Sequence, residues 1–172
     1  RLARAGIELS HIDLGGGFGI RYKDETPPPI SAFLDGALGV LAGRKETLIV
    51  DPGRSIVGEA GVLLTRIEYV KPGETKNFVV VDAAMNDLPR PAMYQAFHAI
   101  VPLQQPTATR ETCVYDVVGP VCESGDWIGR DRELNVQSGD TLAVLSAGAY
   151  CMSMASNYNT RGRAPEILVD GR

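Results

Sequence analysis

The sequence predicts an α/β segment at the front and a mainly β domain behind it, on three observations. Two short apolar runs, Ile7 to Leu14 and Thr47 to Val50, flank a stretch of helical periodicity and each runs into a glycine-bearing loop. From Val57 onward, β-branched runs alternate with Gly, Pro and Asp, the pattern of strands joined by tight turns. The chain is 44% hydrophobic and 22% charged over 172 residues, so it can bury a core and is not compositionally disordered.

Ile7 to Leu14 is rich in Ile and Leu and suits a buried strand; it ends on Gly15-Gly16-Gly17-Phe18-Gly19. Asp24 to Pro29 is a Pro-rich loop. Ile30 to Gly43 places Phe33, Leu34, Leu38 and Leu41 at helical spacing and closes on a glycine, a helix with a C-terminal stop. Thr47 to Val50 is a second strand, leading into Asp51-Pro52-Gly53-Arg54. Strand, glycine loop, helix and strand make a βαβ unit whose loops leave the strand C-termini, where parallel α/β folds bind ligands. Behind a boundary near 55–62, the runs Val57 to Val70, Asn77 to Asp82, Thr112 to Val118 and Thr141 to Leu145 read as strands of an antiparallel barrel or sandwich. Lys71 to Glu74 and Gln137 to Asp140 read as turns between them. Helical pattern returns around Pro91 to His98 and Ala147 to Ser156.

A net charge of −4 leaves no cationic excess to neutralise nucleic-acid phosphates, while a small anionic ligand held by a few arginines stays open. Cys113, Cys122 and Cys151 form an odd set without CxxC spacing, and only His11 and His98 are available beside them. A disulfide framework, a zinc site and a histidine-rich metal site are therefore poor readings, and reduced thiols in a cytoplasmic protein are expected. No apolar run approaches the roughly 20 residues of a membrane span, and no basic-then-apolar leader stands at the front. The chain opens without Met and stops directly after a strand-like run, which suggests a piece of something longer.

Consecutive glycines after a strand let the backbone approach an oxyanion, or form a tight turn. Neither G-x-G start satisfies a dinucleotide fingerprint, because Ile20 or Tyr22 stands at the last glycine position. Asp51 to Arg54 offers a carboxylate, accessible backbone and a guanidinium suited to phosphate; the plain alternative is a surface turn with an ion pair. Arg90 and Tyr94 stand one helical turn apart, suited to a carboxylate or merely to an exposed helix start. Cys122, beside Glu123 and near Asp126, is either an acid–base thiol or a small buried side chain. Tyr150 is a ligand contact or a packing residue, and Trp127 reads as structural.

The residues in order say more. His11-Ile12-Asp13-Leu14 with the glycine run, Asp51-Pro52-Gly53-Arg54, Asp82-Ala83-Ala84-Met85-Asn86-Asp87-Leu88 with Arg90-Pro91 and Tyr94, Gly119-Pro120-Val121-Cys122-Glu123-Ser124-Gly125-Asp126, and Ser146-Ala147-Gly148-Ala149-Tyr150 resemble the diaminopimelate decarboxylases along the whole chain. Ornithine and arginine decarboxylases share the glycine run and the Pro-Gly-Arg loop; the Met-Asn-Asp segment and the Cys-Glu-Ser-Gly-Asp string point to the diaminopimelate branch.

The resemblance implies that residues 1–60 end a (β/α)8 barrel and residues 61–172 form a C-terminal β-barrel domain. It implies pyridoxal 5'-phosphate as cofactor and conversion of meso-2,6-diaminopimelate to L-lysine and CO2. By it, Gly17, Asp51, Pro52, Gly53, Arg54 and Tyr150 hold the cofactor, and Arg54, Arg90, Tyr94, Glu123 and Tyr150 bind substrate. Cys122 returns a proton to the decarboxylated carbon across a homodimer interface. Two departures stand out. Asp51 replaces the family's usual Glu, shortening the reach by one methylene. The cofactor-bearing lysine has no counterpart here, since Lys23, Lys45, Lys71 and Lys76 match none of its motif positions; the chain alone is expected to be inactive. The other readings are a related decarboxylase of ornithine, arginine or a carboxylated polyamine, and a non-catalytic homologue.

Overall fold

The computed structural model describes residues 2–105 and 110–171. Two sheets organise the chain. The first is a parallel pair, β1 (His11–Asp13) and β2 (Thr47–Ile49), in register His11 to Thr47 and Asp13 to Ile49. Helix α1 (Ile30–Val40) is the crossover between them, as a parallel pair requires. The strands are shorter than the apolar runs suggested. The helix stops three residues before Gly43, which sits at φ +80° in the following turn. Its apolar face has no buried residue, although Phe33 meets the buried ring of Phe18 edge-on at 4.9 Å.

The expected long strand from Val57 is instead helical at its start: α2 (Gly53–Val57) continues into a 3-10 turn over Gly58–Ala60. Strand β3 (Leu63–Lys71) begins only after Gly61. It joins β4 (Asn77–Val81), β5 (Ile100–Pro102), β6 (Cys113–Val118), β7 (Trp127–Leu134) and β8 (Thr141–Val144) in a six-stranded sheet of order β5-β8-β3-β4-β6-β7. Its end strands approach each other at Gly129, where an added Cβ would lie 2.7 Å from Ile100 Cδ1. The sheet therefore curls into a nearly closed barrel.

The barrel is mixed rather than antiparallel, because β4 pairs with β6 in parallel, Asn77 opposite Tyr115. The stretch from Asp82 to Thr112, which carries the short helix α3 (Arg90–Tyr94) and β5, is long enough to make that crossover. Alternation along β3 sends Leu63, Thr65 and Ile67 inward and Leu64, Arg66 and Glu68 outward. Inside, Ile67, Val79, Val81, Val117, Ile128, Leu142 and Val144 are fully buried, each worth roughly 1.5–3 kcal/mol of burial. Thr65 enters this core satisfied: its hydroxyl donates to Asp82 Oδ1 at 2.6 Å and accepts the Ala83 N–H at 3.0 Å.

Two strands, β5 and β7, carry no clear sequence signal. Strand β7 reads Trp-Ile-Gly-Arg-Asp-Arg-Glu-Leu, and its four charged residues hide the alternation; pairing with β6 makes it a strand. The helical pattern over Pro91 to His98 ends early, at Tyr94, because Gln95 adopts φ +53°. Around Ala147 to Ser156 only a 3-10 turn, Met152–Met154, forms. Among the described residues, no helix is long and apolar enough to cross a membrane.

Candidate active site

The glycine run and the Asp51 loop leave β1 and β2 side by side, and backbone hydrogen bonds keep them together. Leu14 N–H donates to the Ile49 carbonyl and Asp51 N–H to the Gly15 carbonyl, both at 3.1 Å. The Asp13 carboxylate accepts the Gly15 N–H at 2.7 Å. Gly16 packs so tightly that a Cβ would sit 2.5 Å from the Asp51 carbonyl oxygen. Gly17, at φ +86°, has open space above it and leaves backbone accessible.

Arg54 lies on the first turn of α2, and its Nε is buried without a hydrogen-bond partner among the described residues. Tyr150 joins the same wall from the loop after β8. That loop is sewn to the end of α2: Ala147 N–H donates to the Gly61 carbonyl at 2.8 Å and Gly148 N–H to the Gly58 carbonyl at 3.0 Å. Only glycine fits at 148, since a Cβ there would overlap the Val57 carbonyl oxygen. The result is a cavity of about 610 Å³ lined by Gly16, Gly17, Asp51 to Arg54, Ile56 and Tyr150. Every residue expected at the cofactor is on its wall. A larger cleft of about 750 Å³ on the six-stranded sheet, lined by residues such as Tyr69, Phe78 and Arg161, holds none of them.

Arg90 extends this site. Buried at 9% exposure, its guanidinium lies over the Tyr22 ring at 4.6 Å and 6.0 Å from the Tyr150 ring. Tyr94, four residues on, is 61% exposed and does not line the cavity. The Cys122 to Asp126 loop, between β6 and β7, is not part of this cavity either. Cys122 and Glu123 are exposed, and Glu123 edges a separate cleft of about 310 Å³ with Lys76, Asp116 and Arg130.

Three residues that sequence reasoning did not assign organise that loop and the Met-Asn-Asp segment beside it. The Asp126 carboxylate accepts the Met85 N–H at 2.7 Å and the Val121 N–H at 2.6 Å, bracing the loop from within. Burial pushes its pKa up in spite of these bonds. The Tyr158 hydroxyl donates to Glu123 Oε2 at 3.3 Å, and the carboxylate's charge raises the phenol's pKa. Arg161 bonds Asn86 Oδ1 at 2.9 Å and the Asp82 carbonyl at 2.6 Å, clamping the Met-Asn-Asp segment. Asp126 stood within a quoted motif; Tyr158 and Arg161 reach their partners from 35 to 79 positions away and have no local signal.

The chain is similar to diaminopimelate decarboxylases of Pseudomonas aeruginosa, 55% identical over 99% of this chain and 41% of that protein. It is similar also to that of Neisseria meningitidis serogroup B, 54% identical with the same coverage. The crystal structure of diaminopimelate decarboxylase from Helicobacter pylori complexed with L-lysine superposes with a TM-score of 0.84 at 44% identity, covering 94% of this chain and 40% of that one. The chain thus spans about 41% of the length of the curated relatives named here. A family model described as the C-terminal sheet domain of pyridoxal-dependent decarboxylases matches residues 20–148, so the chain belongs to the pyridoxal-dependent decarboxylase family.

Proposed function

We propose that this chain is the C-terminal part of a diaminopimelate decarboxylase that converts meso-2,6-diaminopimelate to L-lysine and CO2. The observation that carries the reading is the meeting of Gly17, Asp51 to Arg54 and Tyr150 on one cavity, with the Arg90 guanidinium at its Tyr150 edge. The names of relatives 54–55% identical along the chain point the same way. The exposed apolar surface of the front segment, including Ile30, Phe33, Leu38, Val40 and Ile56, fits residues 1–60 being the end of a (β/α)8 barrel whose remainder covers them. Residues 61–172 are then the β-barrel domain.

Pyridoxal phosphate suits this wall. The unpartnered Arg54 Nε and the open backbone above Gly17 and Gly53 suit a phosphate, and the Asp51 carboxylate suits a protonated ring nitrogen. When bound, the cofactor supplies a conjugated ring that accepts the electron pair left as CO2 departs. Arg54 and Arg90 hold substrate carboxylates, with Tyr94 beside Arg90, and Tyr150 lies against cofactor and substrate. Cys122 holds the proton that is returned to the reacting carbon, and Glu123 meets the distal amino group. Cys122 and Glu123 lie off this chain's cavity, which fits their serving the site of a second copy in a homodimer. The cofactor-bearing lysine comes from elsewhere in the longer protein, so the chain alone has no activity.

Subunit mixing tests the whole reading in the full-length enzyme. R54A and C122A homodimers are each expected to lose most decarboxylation of diaminopimelate. Random mixing of the two should restore about a quarter of native sites, because a two-fold dimer of the hybrid has one intact site. Absence of recovery sinks the shared site, and equal turnover of ornithine sinks the substrate assignment.

A further inference from the structure

Behind Arg90 lies a histidine that the proposed chemistry does not use. His98 is fully buried. Its Nε2 is 2.9 Å from Arg90 Nη1, and its Nδ1 is 2.9 Å from the Leu145 carbonyl oxygen. A guanidinium only donates and a carbonyl only accepts. Both contacts are hydrogen bonds in one state alone, the neutral ring with its proton on Nδ1. An imidazolium would set an N–H against the guanidinium. The acceptor is held in turn, because Leu145 N–H donates to the Ala99 carbonyl at 2.8 Å at the end of β8.

The histidine also fixes the direction of approach. Tyr22 lies edge-on to the imidazole, with 5.2 Å between centroids and 74° between planes, and its face carries the Arg90 guanidinium at 4.6 Å. The described ion pairs include no carboxylate on Arg90. Structural arginines buried this deeply are ordinarily paired with an acid. Here a neutral acceptor orients the cation and leaves its charge uncompensated for a ligand.

We infer that His98 is a positioning residue, which aims the Arg90 guanidinium at a substrate carboxylate without neutralising it. The inference rests on the reading of Arg90 as a carboxylate clamp. In the full-length holoenzyme, two substitutions separate the halves of the relay. H98Q retains an acceptor near Nε2 and gives up the donor to Leu145; H98N retains a donor near Nδ1 and gives up the acceptor for Arg90. H98N is expected to raise KM for diaminopimelate about ten- to a hundredfold with kcat little changed, and H98Q to stay near the native KM. A purely packing role would lower thermal stability in both and separate neither in KM.

A native KM in H98N, or equal rises in both variants, overturns the inference. R90A measured alongside tells the two failures apart. If R90A raises KM and H98N does not, only the role of His98 falls; if neither does, the clamp falls and takes it along. A second measurement needs no variant: nitrogen-15 histidine NMR of the native holoenzyme is expected to show His98 protonated on Nδ1 and bare on Nε2. The other tautomer, or an imidazolium at neutral pH, overturns the relay.

Discussion

The backbone N–H of Asp51 donates to the carbonyl oxygen of Gly15 at 3.1 Å, so the glycine run and the Asp51 loop extend a single parallel ladder beyond β1 and β2. Backbone hydrogen bonds tie each loop to the other. The guanidinium that follows Asp51 is therefore carried on a backbone whose position is set by the sheet, not by the loop's own conformation.

Arg54 is the cation on this cavity wall, and its Nε is buried without a partner among the described residues. R54A in the full-length enzyme is expected to weaken pyridoxal phosphate binding about ten- to a hundredfold, since a hydrogen bond to a charged group is worth about 1.5–3 kcal/mol. Cofactor titration followed by absorbance measures it. An unchanged dissociation constant would remove Arg54 from the phosphate site.

Gly148 is the close contact that brings Tyr150 to the cavity. G148A forces a methyl into the Val57 carbonyl, and overpacking of this kind costs about 1–3 kcal/mol or more. The variant is expected to lower the denaturation midpoint and to loosen cofactor together, because the displaced loop carries Tyr150. Loss of stability with native cofactor affinity would show that Tyr150 does not touch the cofactor.

His98 makes stability depend on pH. Burial lowers its pKa below the ordinary 6.5, the hydrogen bond to Leu145 partly offsets this, and Arg90 and Arg132 add to the lowering. The groups facing it are Arg90 from α3, Arg132 from β7 and the ring of Tyr22. The native state thus binds fewer protons than the unfolded chain around the ordinary value. Its contribution is complete above that value and is lost as pH falls through the lowered one. The melting temperature should fall from about pH 7 toward pH 5 by less in H98Q than in the native protein. Parallel curves would place the pH sensitivity elsewhere.

Cys151 and Cys122 differ as thiols. Burial, with the nearby charge of Asp87, pushes Cys151 up to about 11, and its Sγ donates to the Asp87 carbonyl at 3.2 Å. Roughly a thousandth of it is thiolate near pH 8. Cys122 is exposed. Alkylation of the native chain, read by mass spectrometry, should mark Cys122 well before Cys151, and denaturation should abolish the difference.

The sequence by itself determined the βαβ start, four of the six barrel strands (β3, β4, β6 and β8), and the glycine-run and Asp51 to Arg54 residues of the cavity wall. The glycine run and Asp-Pro-Gly-Arg are contiguous motifs whose backbone demands are local, so residue type alone reports them. Strand β7 stayed hidden because its charged residues obey the partner strand rather than a periodicity of their own. The parallel pairing of β4 with β6 was equally invisible, since strand direction depends on where a long connection returns. Tertiary structure alone put Tyr150 on one cavity with Arg54, set His98 behind Arg90, and left Cys122 away from this chain's cavity. Each of these joins residues far apart in sequence, through contacts that exist only once the barrel has curled upon itself.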